Sequence, residues 1–153
     1  MVTILKSFWE GVFTPLFRRP KRVQSAALCY RKGDRGKKEV LLISSRGTGR
    51  WILPKGWPID GKDGAGTAAQ EAWEEAGVQP AKVKETPLGQ YNYDKQFDNG
   101  ATAPVTATVY SIKVEGLADT FPECDERTRN WVAPEAAAEL VDEPELKDIL
   151  RSF

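Results

Sequence analysis

The sequence predicts an α/β fold, and three observations carry that prediction. Two near-continuous apolar runs, Val23–Tyr30 and Glu39–Ser44, have the length and composition of strands covered on both faces. Val105–Val114 (VTATVYSIKV) is the clearest β-branched strand. Between them Ala65, Ala68, Ala69, Ala72 and Ala76 recur at helical spacing and form a small-residue face that lets a helix approach a sheet closely. At 153 residues the chain is long enough for one domain with a substantial core.

Composition narrows the chemistry. The 22 basic and 22 acidic side chains cancel, so net charge gives no sign of a nucleic-acid partner and none is expected. Cys29 and Cys124 lie far apart without metal spacing, which fits reduced thiols in a cytoplasmic protein. The chain has 0 histidines. That excludes Ser-His-Asp and Cys-His catalysis and a His-ligated zinc. Proton transfer must fall to Asp, Glu, Lys, Tyr or water. No apolar run approaches the length of a membrane-spanning helix.

Residues 1–22 stand apart as an amphipathic, basic N-terminal extension, with residues 23–153 as the domain proper. Ile4, Leu5, Phe8, Trp9, Val12, Phe13, Leu16 and Phe17 recur near the helical period, and Gly11 and Pro15 limit the helix to Thr3–Phe13. Arg18, Arg19, Lys21 and Arg22 follow. Such a segment suits weak contact with an anionic membrane surface, packing on the domain, or a homodimer contact with a second copy of the chain. Lys6 and Glu10 interrupt the apolar part and no small-residue cleavage site follows, which argues against a signal peptide.

The two apolar strands are joined by a polar hairpin, RKGDRGKK. Arg46-Gly-Thr-Gly-Arg50 is a flexible basic loop, Trp51–Leu53 a short strand, and Pro54-Lys55-Gly56 a turn. The helix is expected over Gly64–Ala76, with Asp63 as N-cap and Gly77 as the left-handed stop. Val83–Glu85 and Leu88–Tyr93 are strand pieces, and Asp94–Pro104 is a polar loop turning at Asp98, Asn99 and Gly100. Asn130–Ala133 is a short strand. Pro134–Leu140 begins a helix with Pro in its first turn. Asp142 is the expected cap of a last helix that buries Leu146, Ile149, Leu150 and Phe153.

The chemistry concentrates in Gly56–Val78, GWPIDGKDGAGTAAQEAWEEAGV. Glu71, Glu74 and Glu75 are expected to converge on one side of a helical turn, because residues three and four apart share a face. Like charges so placed repel, and a divalent cation reverses the sign. Mg²⁺ takes oxygen ligands, commonly one or two carboxylates with substrate phosphates. Gly56-WPID-Gly61-Lys62-Asp63 nearly fits the phosphate-binding G-x-x-x-x-G-K-[ST] loop. It fails because Asp63 replaces the metal-binding hydroxyl, Pro58 removes an N–H, and Trp57 is bulky where the chain must wrap phosphate.

These 23 residues, about a seventh of the chain, resemble the Nudix box: Gly, five residues, Glu, seven residues, then Arg-Glu-apolar-x-Glu-Glu-x-Gly-apolar. Gly56, Glu71, Ala72, Glu74, Glu75, Gly77 and Val78 match. Lys62 stands in place of the first Glu and Gln70 in place of the Arg. The resemblance implies a Nudix-type α/β/α sandwich around a mixed β-sheet over residues 23–153. It implies Mg²⁺ (or Mn²⁺) and a pyrophosphohydrolase cleaving a diphosphate linkage in a phosphorylated small molecule by water attack on phosphorus. It also implies Glu74 and Glu75 as the foremost metal ligands, joined by the Gly56 carbonyl, with Glu71 as a further ligand or the water-activating base. In the family the first Glu and the Arg pair and orient the catalytic Glu. Here Gln70 is the residue left to hydrogen-bond a carboxylate. Asp125 and Glu126 are candidates for a further acid from a later loop.

The approach Arg-Trp-x-x-Pro-Lys-Gly resembles Nudix enzymes acting on diphosphoinositol polyphosphates and diadenosine polyphosphates. Arg46, Arg50, Lys55 and Lys62 flank the box and are candidate phosphate ligands. Tyr91, Tyr93 and Lys95 are candidates from the opposite strand. The competing reading of the two departures is a Nudix fold that holds a nucleotide or polyphosphate without cleaving it.

Overall fold

The structure is a computed structural model and describes residues 22–153, so the amphipathic segment read in residues 1–22 lies outside the described residues apart from Arg22. In chain order the elements are β1 (Arg22–Lys32), a short 3-10 turn (Asp34–Gly36), β2 (Lys38–Ser44), β3 (Trp51–Ile52), β4 (Lys55–Gly56) and α1 (Gly64–Ala76). Then follow β5 (Val78–Val83), β6 (Gly89–Gln96), β7 (Thr102–Leu117), β8 (Arg129–Val132), α2 (Pro134–Leu140) and α3 (Pro144–Arg151).

One mixed sheet runs β3-β2-β1-β7-β5, with β4 pairing β1, β6 pairing β7 and β8 pairing β2. The β1–β7 pair is parallel; the other pairs are antiparallel. The apolar runs are continuous because both sheet faces are covered. In β1 and β2, Ala26, Leu28, Val40 and Leu42 face a core completed by Ala137, Ala138, Leu146 and Leu150 of α2 and α3. The alternate residues Ala27, Cys29, Leu41 and Ile43 face a second core completed by Ala68, Ala72 and Ala76 of α1. The result is the expected α/β/α sandwich, with each strand side chain assigned to a layer by the two-residue period.

Four local expectations are corrected. Lys55–Gly56 is not a turn but the strand β4, in register with Ala26 and Ser25 of β1. Asp94 and Lys95 do not belong to a loop: they extend β6 and pair with Pro104 and Ala103, leaving residues 97–101 as the connection. Cross-strand pairing there overrides weak intrinsic β preference. β5 starts at Val78, directly after the helix, rather than at Val83. The cap position of α3 is Glu143, not Asp142, and it makes no side-chain capping bond, because its carboxylate is drawn to Arg50 instead.

Candidate active site

The helix α1 forms as its caps predict. Asp63 Oδ1 accepts from the Gly66 N–H at 2.7 Å, and Gly77 takes the left-handed conformation at φ 67° and donates to the Trp73 carbonyl at 2.9 Å. Arg129 Nη1 reaches the Ala76 carbonyl at 3.0 Å and ties this end of the helix to β8. The alanine face buries against the sheet, which leaves Glu71 and Glu75 one turn apart at the edge of a cavity of about 840 Å³.

β4 brings the backbone of Lys55 and Gly56 against those two carboxylates. The Lys55 N–H donates to Glu75 Oε2 at 3.0 Å. A methyl group on Gly56 would collide with the Glu71 side chain, so glycine is what allows the contact. From the segment before β8, Arg127 donates through Nη2 to Glu75 Oε1 and to Glu123 Oε1, both at 3.0 Å, and through Nη1 to the Ser44 carbonyl at 3.1 Å. Both partners are buried, with side-chain exposures of 5% for Arg127 and 9% for Glu75. Arg127 Nε is buried with no partner among the described residues, an arrangement that costs about 1–3 kcal/mol.

Glu71 is different. It is half-buried, and no hydrogen bond or ion pair among the described residues holds its carboxylate. Burial raises its pKa from 4.5 to about 7, and the carboxylates of Glu75, Glu74 and Glu123 push the same way against Arg127. Burial also raises Glu75, against the opposing pull of Arg127 and of the Lys55 N–H. The partly buried Lys55 is lowered by burial, although Glu75 opposes the shift. Its ammonium lies 5.0 Å from the Tyr93 ring centre.

The predicted convergence of three glutamates is not formed. Glu74 turns aside and accepts from Gln70 Nε2 at 2.9 Å, so neither lines the cavity. Among the described residues no three acidic or thiol side chains stand together as a metal cage. Two carboxylates remain, Glu71 and Glu75, beside Gly56. That donor set still fits Mg²⁺ or Mn²⁺, which use one or two carboxylates and leave further positions to substrate oxygens. The geometry supports the fit: Glu71 and Glu75 stand one helical turn apart on α1, and the Gly56 backbone packs against Glu71 at the edge of the same cavity.

The other predicted residues divide. Arg46, Arg50, Lys55 and Lys95 all line the cavity. Arg50 is held by Glu143, its Nη1 donating at 3.0 and 3.3 Å to the two carboxylate oxygens. Lys62 does not line it: it is exposed in the turn ahead of α1. Tyr91 is also outside, fully buried in the core under α2 and α3, while Tyr93 faces the cavity and donates to Gln24 Oε1. The two tyrosines share a face of β6 and pack on the same core, so the strand period does not separate them; Tyr91 is enclosed there, whereas Tyr93 is only partly buried and reaches the cavity. Asp125 and Glu126 do not reach the cavity. Glu126 faces Arg46 at 3.8 Å near the surface, and the lining acid from this loop is Glu123.

Sequence reasoning missed Glu123 and Arg127. The run ECDERTR offers several acids and two arginines with no periodicity to select among them. The four-residue separation of Glu123 and Arg127 was the available hint.

Comparison with known proteins places the fold. A family model described as the NUDIX domain matches residues 21–153. Nudix hydrolase 16, mitochondrial, of Arabidopsis thaliana is 33% identical over 115 residues, covering 73% of this chain and 63% of that protein. Human diphosphoinositol polyphosphate phosphohydrolase 3-beta is 28% identical over 120 residues, covering 77% and 68%. The chain spans between 52% and 63% of the length of the first three Arabidopsis relatives. A binary complex of a C. elegans Ap4A hydrolase superposes with a TM-score of 0.63 at 23% identity, covering 86% of this chain and 94% of that one. The NUDIX domain of Shewanella oneidensis NrtR complexed with ADP ribose gives 0.63 at 15% identity, covering 95% and 96%. At those identities the structures speak to the fold.

Proposed function

The chain belongs to the NUDIX family, and from that premise we propose that it is a Mg²⁺- or Mn²⁺-dependent hydrolase of a diphosphate linkage in a phosphate-rich small molecule. Diphosphoinositol polyphosphates and diadenosine polyphosphates are the favoured substrates. The observation that carries the reading is the carboxylate pair Glu71 and Glu75 beside Gly56, in one cavity with Arg46, Arg50, Lys55 and Lys95. The similarity to a human diphosphoinositol polyphosphate phosphohydrolase supports the substrate class.

Glu71 and Glu75, with the Gly56 carbonyl, are the groups that would hold the cation. When bound, it supplies charge neutralisation at phosphate oxygens and a lowered pKa for water. The chain's own residues do the rest. Arg50, braced by Glu143, and Lys55, half-buried beside Tyr93, bind phosphate oxygens by charge-assisted hydrogen bonds. Arg46 and Lys95 extend that surface for additional phosphates. Glu71, half-buried at the cavity with no hydrogen-bond partner among the described residues, is alternatively the carboxylate that accepts the proton of the attacking water.

A phosphate-release assay with Mg²⁺ tests this across inositol pyrophosphates, dinucleoside polyphosphates, nucleotide sugars and oxidised nucleotides, with product analysis. Turnover of a phosphate-rich member is expected. One observation favours a second reading, a binding module without turnover: Arg127 already pairs with Glu75. Tight polyphosphate binding with no hydrolysis of any member would select it.

A further inference from the structure

We propose that Arg127 is the positioning residue for Glu75, taking the orienting role that Lys62 and Gln70 leave open in the Nudix box. The proposal rests on the reading of Glu75 as a metal-ligating carboxylate.

Neither box residue can do this work. Gln70 is engaged with Glu74 at 2.9 Å, and Lys62 is exposed and away from the cavity. Arg127 arrives from a part of the chain 52 residues beyond Glu75. Its guanidinium is anchored to the Ser44 carbonyl at 3.1 Å, at the end of β2 in the sheet. From that anchor it donates to Glu75 Oε1 at 3.0 Å, while the Lys55 N–H donates to Oε2 at 3.0 Å. The two carboxylate oxygens are thus fixed by donors on two different elements, so the plane of the group is set. A carboxylate offers about four acceptor sites, so two occupied ones leave capacity for a cation.

A guanidinium beside a metal ligand would ordinarily repel the metal. Glu123 answers that objection. It shares the same Nη2 at 3.0 Å, so Glu75, Arg127 and Glu123 together retain a net negative charge when ionised. Adding Glu71 in the same cavity deepens it. Arg127 therefore orients Glu75 without neutralising the site.

The test measures Mn²⁺ binding to the full chain by calorimetry, apart from turnover, with thermal melting in chelator as the fold control. Partners that orient a metal ligand typically alter affinity by about 10–100-fold. Arg127→Gln is expected to weaken Mn²⁺ by that factor. Arg127→Lys is expected to recover part of it, because a point charge can meet one partner but not the fork. Wild-type affinity, or tighter binding, in a folded Arg127→Gln protein overturns the proposal, the tighter result marking Arg127 as a competitor of the cation. Should Arg127→Gln not fold, unchanged or tighter binding by Arg127→Lys overturns it instead. Absence of Mn²⁺ binding by the wild type sinks the metal-site reading and this proposal with it, whereas a binding wild type with unaffected variants sinks this proposal alone.

Discussion

Gly56 packs its backbone directly against the side chain of Glu71, so that an added Cβ would stand 2.8 Å from Glu71 Cγ and nearer still to its carboxylate. Gly56 is buried and paired with Ser25 in β4, so its backbone cannot easily yield. Gly56→Ala must therefore displace Glu71. Misplacing a catalytic group by about 1 Å can cost on the order of 100-fold in rate. A kcat loss on that scale is expected, with little loss of stability, because the atoms that must yield belong to the flexible Glu71 side chain, whose carboxylate no other described group holds. Steady-state kinetics beside a denaturant titration separate the two, and near-normal turnover would show that the placement of Glu71 is unimportant.

Glu75→Gln keeps an acceptor for the Lys55 N–H but loses the charge facing Arg127. Hydrolysis dependent on Mg²⁺ should fall by roughly 100-fold or more, the scale on which loss of one group stabilising developing charge is felt. The fold should survive, because Glu123 still pairs with Arg127. Circular dichroism and a phosphate-release assay on the same sample decide this; substantial turnover would remove Glu75 from the ligand set.

Stability of the metal-free protein should rise as the pH falls. Glu71 is held near 7 in the fold against an ordinary value of 4.5, and Glu75 is shifted upward too. A carboxyl group with a raised folded pKa binds its proton more tightly in the folded state. Folding is therefore favoured progressively as pH drops through 7 toward 4.5, and the ionised penalty is fully present above 7. In chelator, melting at pH 5.5 should occur at a higher temperature than at pH 8, values on the order of one and a half pH units below and one above the Glu71 midpoint. Saturating Mg²⁺ at the higher pH should close part of the gap by mass action. A lower melting temperature at the acidic pH would contradict the crowded-carboxylate picture.

Lys95 and Lys62 should behave oppositely. Lys95 lines the cavity and Lys62 does not. Lys95→Ala is expected to raise KM on the order of 10- to 100-fold for a substrate rich in phosphates, with little change in kcat, because a lost charge-assisted hydrogen bond is about 1.5–3 kcal/mol of binding present before and during reaction. Lys62→Ala should alter kcat/KM less than about twofold, as surface charges far from a site usually do. Equal effects of the two substitutions would place the turn before α1 at the substrate after all.

Much of the fold was legible because local physics and tertiary packing agree. The caps Asp63 and Gly77 bound α1 where expected, and the alanine spacing identified its buried face. The continuous apolar runs of β1 and β2 announced coverage on both faces. The failures occurred where one chain segment depends on another. β4 exists through its pairing with β1, and Asp94 and Lys95 are strand residues because β7 lies opposite.

For the site, the sequence by itself determined that Glu71 and Glu75 lie one helical turn apart, that Gly56 precedes them, and that basic residues flank the box. Helix period and motif spacing suffice for that, because each is a local property. Tertiary structure alone decided that Tyr93 rather than Tyr91 faces the cavity, and that Glu123 supplies the loop's acid. It also decided that Arg127 holds Glu75 across 52 positions of chain. An ion pair between distant segments has no periodicity to betray it; it is specified only when the sheet carries Ser44, β4 carries Lys55, and both converge on the helix.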